Sequence, residues 1–234
     1  MNRVKYVNLK KENIMKLEAI IFDIDGTLWN TTDYVAESWN QAGADFGAFR
    51  ERPISGADLR REFGKPMDII VKNLFPGEEA EIQEKIWKKC KEYEENILKN
   101  LSQNLLYPNV KETLQTLSQT YQIFIVSNCQ DGYVPLFLEK NGLQEYVTDY
   151  ESFGATLRSK GENIRLVMER NGIKEAIYVG DTKGDYEATK EAEIPFIFAR
   201  YGFGEVENPK LSVDNIAELP EIVENLANPN CDNC

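Results

Sequence analysis

Histidine is absent from all 234 residues. That single gap removes whole classes of chemistry. Ser-His-Asp and Cys-His hydrolases, phosphohistidine phosphatases, H-E-x-x-H zinc proteases and His-rich dinuclear metal sites all need an imidazole. Acid–base work falls to carboxylates, lysine, tyrosine or a metal-bound water. Cysteine is scarce: Cys90, Cys129, Cys231 and Cys234 are the four in the chain. A chain of this length does not need disulfides to fold. Cys231 and Cys234 make one C-x-x-C near the C-terminus; with no second pair and no histidine it is a weak zinc signal and reads as a solvated tail. No segment approaches the ~20 consecutive apolar residues of a membrane span. The basic opening stretch MNRVKYVNLKKENIMK lacks the apolar region of a secretory signal, so a cytoplasmic location is expected.

Positive charge is also in deficit. Asp and Glu number 39 against 27 Lys and Arg, a formal net charge of −12. Such a surface repels nucleic acid and anionic membranes, and neither is expected as a partner. It repels a phosphate ester too, so any anion site has to be built locally from a cation, lysines and backbone N–H groups. A monomer or weak homodimer is expected.

What is present has a clear order. EAIIF (18–22) is a short apolar run ending at Asp23 and reads as a buried strand. From Thr31 to about Asn104 the pattern is helical. DYVAESWNQAGADFG, GADLRREFG, MDIIVKNLF and EEAEIQEKIWKKCKEYEENILKN place apolar residues at helical spacing, with Gly and Pro between them. After Tyr107-Pro108 strands and helices alternate. YQIFIVSN, AIYVGD and PFIFAR read as strands, as does a shorter VTDYESF. VKETLQTLSQ, VPLFLEKNG, KGENIRLVMERNG, YEATKEAE and LPEIVENLAN read as helices. Alternation of this kind implies parallel βαβ units and a sheet covered on both faces. The expected fold class is α/β, a Rossmann-like parallel-sheet core with an inserted all-helical cap. The expected division is 1–32 with 105–234 as core and 33–104 as cap.

Ligands of open parallel sheets sit beyond the carboxyl ends of the strands, and four polar clusters fall at or near such places. They are Asp23-Ile24-Asp25-Gly26-Thr27, Ser127-Asn128, Lys160, and Gly180-Asp181-Thr182-Lys183-Gly184-Asp185. Each has an ordinary reading as well. An Asp after a strand is a common turn former or helix N-cap, Ser-Asn often starts a loop, and a lone Lys on a helix is usually solvated. Those readings predict no particular order, whereas the four clusters fall in one order along one sheet.

In that order FDIDGTLW, VSN, Lys160 and GDTKGD resemble the four motifs of the haloacid dehalogenase (HAD) superfamily, in its phosphatase branch. The resemblance covers roughly residues 18 to 228. The helical stretch is similar to the cap of phosphoglycolate phosphatase-like and β-phosphoglucomutase-like members. It implies an α/β HAD-like core and a Mg²⁺-dependent phosphatase acting on a small-molecule phosphate ester. Asp23 would be the nucleophile that forms an aspartyl-phosphate, and Asp25 the acid–base. Asp23, Asp25 (through its backbone carbonyl), Asp181 and Asp185 would hold Mg²⁺. Ser127, Asn128 and Lys160 would bind phosphate. The chemistry is coherent, because phosphoryl transfer needs a nucleophile, charge neutralisation and a proton for the leaving alkoxide. A free Asp has a pKa near ~3.9, so Asp25 needs its surroundings to keep a proton at neutral pH.

The chain departs from the pattern at Asn30, where the family often has Asp. It departs again after Lys160, where Gly161-Glu162-Asn163 replaces a frequent proline pattern. Trp29 reads as packing, and Lys183 as pointing to solvent. In the cap stretch, Arg60 or Lys65 is a candidate for meeting an anionic substrate, against the plain reading of solvated surface charges. Asp25 argues against a dehalogenase, whose halide leaving group needs no proton. A β-phosphoglucomutase-like sugar phosphomutase and a non-catalytic binding protein on the same fold stay as alternatives. Residues 1–14 are expected to be peripheral, with Met15 a plausible natural start.

Overall fold

The computed structural model describes residues 17–48 and 50–227. The expectations for residues 1–14, for Met15 and for Cys231 and Cys234 lie outside the described residues. Strands β1 (Ala19–Phe22), β2 (Gln122–Ser127), β3 (Asp149–Ser152), β4 (Ala176–Gly180), β5 (Phe196–Ala199) and β6 (Ser212–Val213) form one sheet in the order β3-β2-β1-β4-β5-β6. Every pairing is parallel. The first strand in sequence therefore lies inside the sheet, with β2 on one side and β4 on the other. Chain order reverses there, at the place where parallel sheets open a crevice for ligands. Phe22 stands opposite Ile125 and Val179. The residues just beyond these positions bring Asp23, Ser127 and Asp181 to the same edge.

Side chains alternate between two cores, as a pleated strand requires. Ile20, Phe22, Ile123, Ile125, Ile177 and Val179 enter one. Ala19, Ile21, Phe124, Val126, Ala176 and Tyr178 enter the other. Both faces are covered, which is why the strands read as continuous apolar runs.

Among the described residues the helices are α1 (Thr32–Asp45), α2 (Gly56–Glu62), α3 (Met67–Leu74), α4 (Ala80–Asn100), α5 (Val110–Leu117), α6 (Tyr133–Asn141), α7 (Phe153–Thr156), α8 (Lys160–Arg170), α9 (Lys183–Ala192) and α10 (Leu219–Ala227). Helices α5, α6 and α10 cover the first face through Leu114, Phe137 and Val223. Helices α8 and α9 cover the second through Ile164, Val167 and Ala188. None is long and apolar enough to cross a membrane.

Helices α1 to α4 occupy the interval between β1 and β2, and no described residue of that interval joins the sheet. Val35, Trp39 and Ala42 on α1 meet a face of α4 carrying Ile86, Cys90 and Leu98, and all are buried. Helix α2 opens with a capping box, Ser55 and Asp58 satisfying each other's backbone N–H. The chain leaves and re-enters the sheet layer side by side. Asn30 N donates to Leu105 O at 3.0 Å, Tyr107 N donates to Leu28 O at 3.0 Å, and Trp29 and Leu106 form an antiparallel bridge.

Two elements differ from the sequence-based expectation. The stretch VTDYESF stops being strand at Ser152, and Phe153 begins the four-residue helix α7. Strand β6 has only two residues, too few to show a period of two.

Candidate active site

Three carboxylates from two distant segments meet beyond the strand ends. Asp23, Asp181 and Asp185 are buried, and one oxygen from each lies within 4.8 Å of the others. Local chemistry brings them together. Asp181 follows β4; Thr27 Oγ1 donates to its Oδ1 at 3.2 Å and Phe203 N to its Oδ2 at 2.6 Å. Gly26 lies beside it at φ +84°, and a Cβ there would fall 2.1 Å from Asp181 Oδ2, so the turn after Asp25 admits no side chain. Asp185 is the third residue of α9. Its Oδ2 accepts from Thr182 N at 2.9 Å and Thr182 Oγ1 at 2.7 Å in a capping box.

One cation is built into the cluster. Lys160 begins α8 behind the capping residue Ser159. Its Nζ lies 2.5 Å from Asp185 Oδ1 and 3.1 Å from Asp23 Oδ1, all three side chains being buried. The contact with Asp23 is an ion pair, and the Ile24 N–H and the Ser127 hydroxyl also favour the charged form of that carboxylate, although no bond of good geometry reaches either oxygen. Burial raises the Asp23 carboxyl to about 6; Lys160 opposes the rise and Asp185 adds to it. Burial, then Asp185 and Asp23, holds Asp181 well above the usual carboxylate range. A buried acidic set is what a hard, oxygen-seeking divalent cation compensates. The residues present fit Mg²⁺.

Asp25 has a different setting. Tyr133 Oη donates to its Oδ1 at 2.9 Å and Trp29 Nε1 to the same oxygen at 3.1 Å. Burial, reinforced by the charge of Asp23, pushes its carboxyl up to about 8, and the Tyr133 hydroxyl pulls against that. This is the help that an aspartic acid needs to carry a proton at neutral pH. Trp29 does pack, edge-on against Tyr133 and Phe137, but its indole N–H also orients Asp25.

A cavity of about 20 Å³ lies between the strand ends, the loop joining α2 to α3, and helices α3 and α4. Its walls include Asp23, Asp25, Ser127, Asn128 and Lys65. Ser127 ends β2 and is buried there. Asn128 is turned toward the helical segment, its Nδ2 donating to Gly64 O at 2.8 Å. Lys65 pairs with Glu62 at 2.8 Å. Arg60 is engaged elsewhere, donating to Thr32 Oγ1 at 2.9 Å and pairing with Asp33 at 3.1 Å. Lys183 is exposed beside Glu187. Asn30 Oδ1 accepts from Thr32 N and Thr32 Oγ1, shaping the entry to α1.

The sequence reading passed over Tyr133, Glu94 and Gln130, which also line the cavity. Glu94 lies on α4 at 3% exposure. Its Oε1 accepts from Trp39 Nε1 at 2.7 Å and its Oε2 from Gln130 Nε2 at 3.1 Å. One signal was available: Glu94 shares the helical stripe of Ile86, Cys90 and Leu98, where a carboxylate is out of place on an apolar face.

The haloacid dehalogenase-like hydrolase family model matches residues 20–199. The chain belongs to that family. Haloacid dehalogenase-like relatives include the phosphoglycolate phosphatase of Vibrio parahaemolyticus serotype O3:K6, 28% identical over 222 residues, which cover 88% of this chain and 96% of the relative. That of Agrobacterium fabrum is 28% identical over 221 residues, covering 88% and 92%. Among solved structures, one described as a predicted phosphoglycolate phosphatase from Haemophilus somnus 129pt superposes with a TM-score of 0.78 at 23% identity, covering 90% of this chain and all of that one. A HAD-superfamily hydrolase of subfamily IA from Geobacter sulfurreducens gives 0.66 at 15% identity, covering 89% and 97%. These likenesses establish the HAD-like α/β fold.

Proposed function

We propose that this HAD-family hydrolase is a Mg²⁺-dependent phosphatase that cleaves a small-molecule phosphate monoester through an aspartyl-phosphate on Asp23. The observation that carries the reading is the buried Asp23 carboxylate set between Lys160 and two further carboxylates at the strand ends. The names of the curated relatives support a phosphate ester as substrate.

In the first half-reaction an Asp23 oxygen attacks phosphorus. The bond from phosphorus to the ester oxygen breaks, its electron pair leaves with that oxygen, and Asp25 supplies the proton. In the second, Asp25 takes a proton from water, and the water oxygen attacks phosphorus. The phosphorus–Asp23 bond breaks, freeing inorganic phosphate and the Asp23 carboxylate. Tyr133 and Trp29 hold Asp25 in place through both halves. Ser127 and Lys160 bind and neutralise phosphoryl oxygens as charge spreads over them. Asp23, Asp181 and the Asp25 carbonyl, with Asp185 directly or through water, would hold Mg²⁺, which supplies charge neutralisation for the phosphoryl group.

The cavity of about 20 Å³ has room for about one water, not for an ester. Residues 33–104 would therefore act as a cap over a core of 1–32 and 105–234, lifting to admit substrate and closing to exclude bulk water. Hydrolysis of p-nitrophenyl phosphate with Mg²⁺, its loss on adding EDTA, and a phosphate adduct on the peptide containing Asp23 after acid quench are the expected results. Undiminished turnover by Asp23→Asn would sink the mechanism.

A further inference from the structure

The cavity carries an acidic group that the proposed chemistry does not use. Glu94 reaches it from α4, beside Gln130 just beyond the end of β2. Its oxygens accept from the indole of Trp39 and the amide of Gln130, and the Cys90 thiol one turn away on α4 is a third donor to it. An indole nitrogen can only donate, so Oε1 is held as an acceptor. Two carboxylate oxygens offer about four lone-pair sites, so these three donors leave room for about one more, and Glu94 lines the cavity from which it could come. The nearby apolar lining, Met67 and Ile70, offers an anion nothing. Lys65 is the one cation among the described lining residues, and Glu62 already pairs with it at 2.8 Å.

The phosphoryl end of a substrate is fixed at Asp23, and the leaving oxygen at Asp25. On the phosphatase reading, whatever is attached to that oxygen enters the cavity that Asp25 and Glu94 both line. We propose that Glu94 sets leaving-group specificity, selecting phosphate monoesters whose leaving group presents hydroxyl or ammonium donors and disfavouring those that carry a carboxylate. This rests on the phosphatase reading above and deepens it. A buried acceptor left facing a second carboxylate suffers both desolvation and repulsion, while a donor restores a bond lost from water. The prediction runs against the substrate in the names of the relatives, since the glycolate portion of phosphoglycolate is an anion. At 28% identity leaving-group contacts have room to differ while the chemistry at the strand ends stays the same.

The test compares kcat/KM for three esters with Mg²⁺: glycerol 3-phosphate (hydroxyl donors), phosphoethanolamine (an ammonium donor) and 2-phosphoglycolate (a carboxylate). Burial pushes the Glu94 carboxyl up to about 7, so pH 8 keeps it ionised. At least one donor ester should exceed phosphoglycolate by about tenfold or more, the scale of a mismatched polar contact. The arm that responds tells a polyol from an amino alcohol. Glu94→Gln keeps the shape and removes the charge, and should raise phosphoglycolate relative to the donor esters by a similar factor. A wild-type preference for phosphoglycolate overturns the inference, and so does a ratio that Glu94→Gln leaves unchanged. The wild-type ratio decides even where the variant fails to fold. If p-nitrophenyl phosphate and all three esters are inert, the phosphatase reading falls and this inference with it; turnover with the wrong preference removes this inference alone.

Discussion

Asn128 Nδ2 donates to the main-chain oxygen of Gly64 at 2.8 Å, tying the end of β2 to the loop between α2 and α3. The other side of that loop lies against the second acidic motif. Gly64 has φ +91°, and a Cβ there would sit 3.0 Å from Thr182 Cγ2. One loop of the helical segment thus touches two strand-end motifs at once.

If this bond latches the cap, Asn128→Ala should lower kcat/KM for every ester by roughly three- to tenfold, the value of one neutral hydrogen bond. Inhibition by inorganic phosphate should be unchanged. Steady-state kinetics with phosphate as competitor make the check. A parallel weakening of phosphate inhibition would assign Asn128 to the phosphate itself.

Asp23→Asn should cut turnover by about 10⁴-fold or more, as removal of a nucleophile does. The fold should survive and the melting temperature should not fall. The amide replaces a carboxylate that Asp185 crowds, and Lys160 keeps its partner Asp185 at 2.5 Å. Circular dichroism melts alongside the assay decide this.

Mg²⁺ should raise the melting temperature of the wild type, because it binds the folded acidic cluster and not the unfolded chain. At a hundred times its dissociation constant the gain is about 2.7 kcal/mol. Asp181→Ala should abolish most of that shift, which thermal melts with and without EDTA will read.

Lys160→Met removes the cation between Asp23 and Asp185. Buried charge left uncompensated typically costs about 3–5 kcal/mol. Urea unfolding should show a loss of that order, and Mg²⁺ should recover part of it. A variant as stable as the wild type would mean that the carboxylates are protonated or solvated in solution.

Glu94 makes stability depend on pH. Its carboxyl rises from 4.5 to about 7 in the fold, chiefly through burial, with Gln130, Trp39 and Cys90 opposing. Asp25, Cys90 and Tyr133 also feel its charge. A raised carboxyl favours the folded state when protonated, so its contribution is full below about 4.5 and is lost as pH climbs through about 7. The loss is on the order of 3 kcal/mol. Glu94→Gln cannot titrate, so its stability relative to the wild type should improve between pH 5 and pH 8. Parallel melts across that range will show whether it does.

Much of this was legible because the signals are local. The strand-end aspartates and their glycine are set by a turn of a few residues, and the central strands by unbroken apolar runs buried on both faces. The helices announced themselves by the period of their apolar residues and by the Gly and Pro between them. The partners of the motifs were not legible. Tyr133 and Trp29 reach Asp25 from α6 and from the loop after β1, and whether an indole packs or donates depends on packing across the fold. Lys160 had only its position to recommend it; its two ion pairs exist because α8 and α9 lie together on one face of the sheet. Arg60, a candidate for substrate contact, had Asp33 and Thr32 within reach once α1 and α2 folded together.

The paired crossings at Asn30–Leu105 and Leu28–Tyr107 make the helical excursion a loop whose two feet stand at hydrogen-bond distance. Grafting a different helical segment between those feet should change the ceiling of the cavity and leave its floor, with Asp23, Asp25 and Ser127, in register. If the helical segment chooses the substrate as proposed, substrate choice and reaction chemistry are heritable separately, one as an exchangeable part and the other as the frame it plugs into.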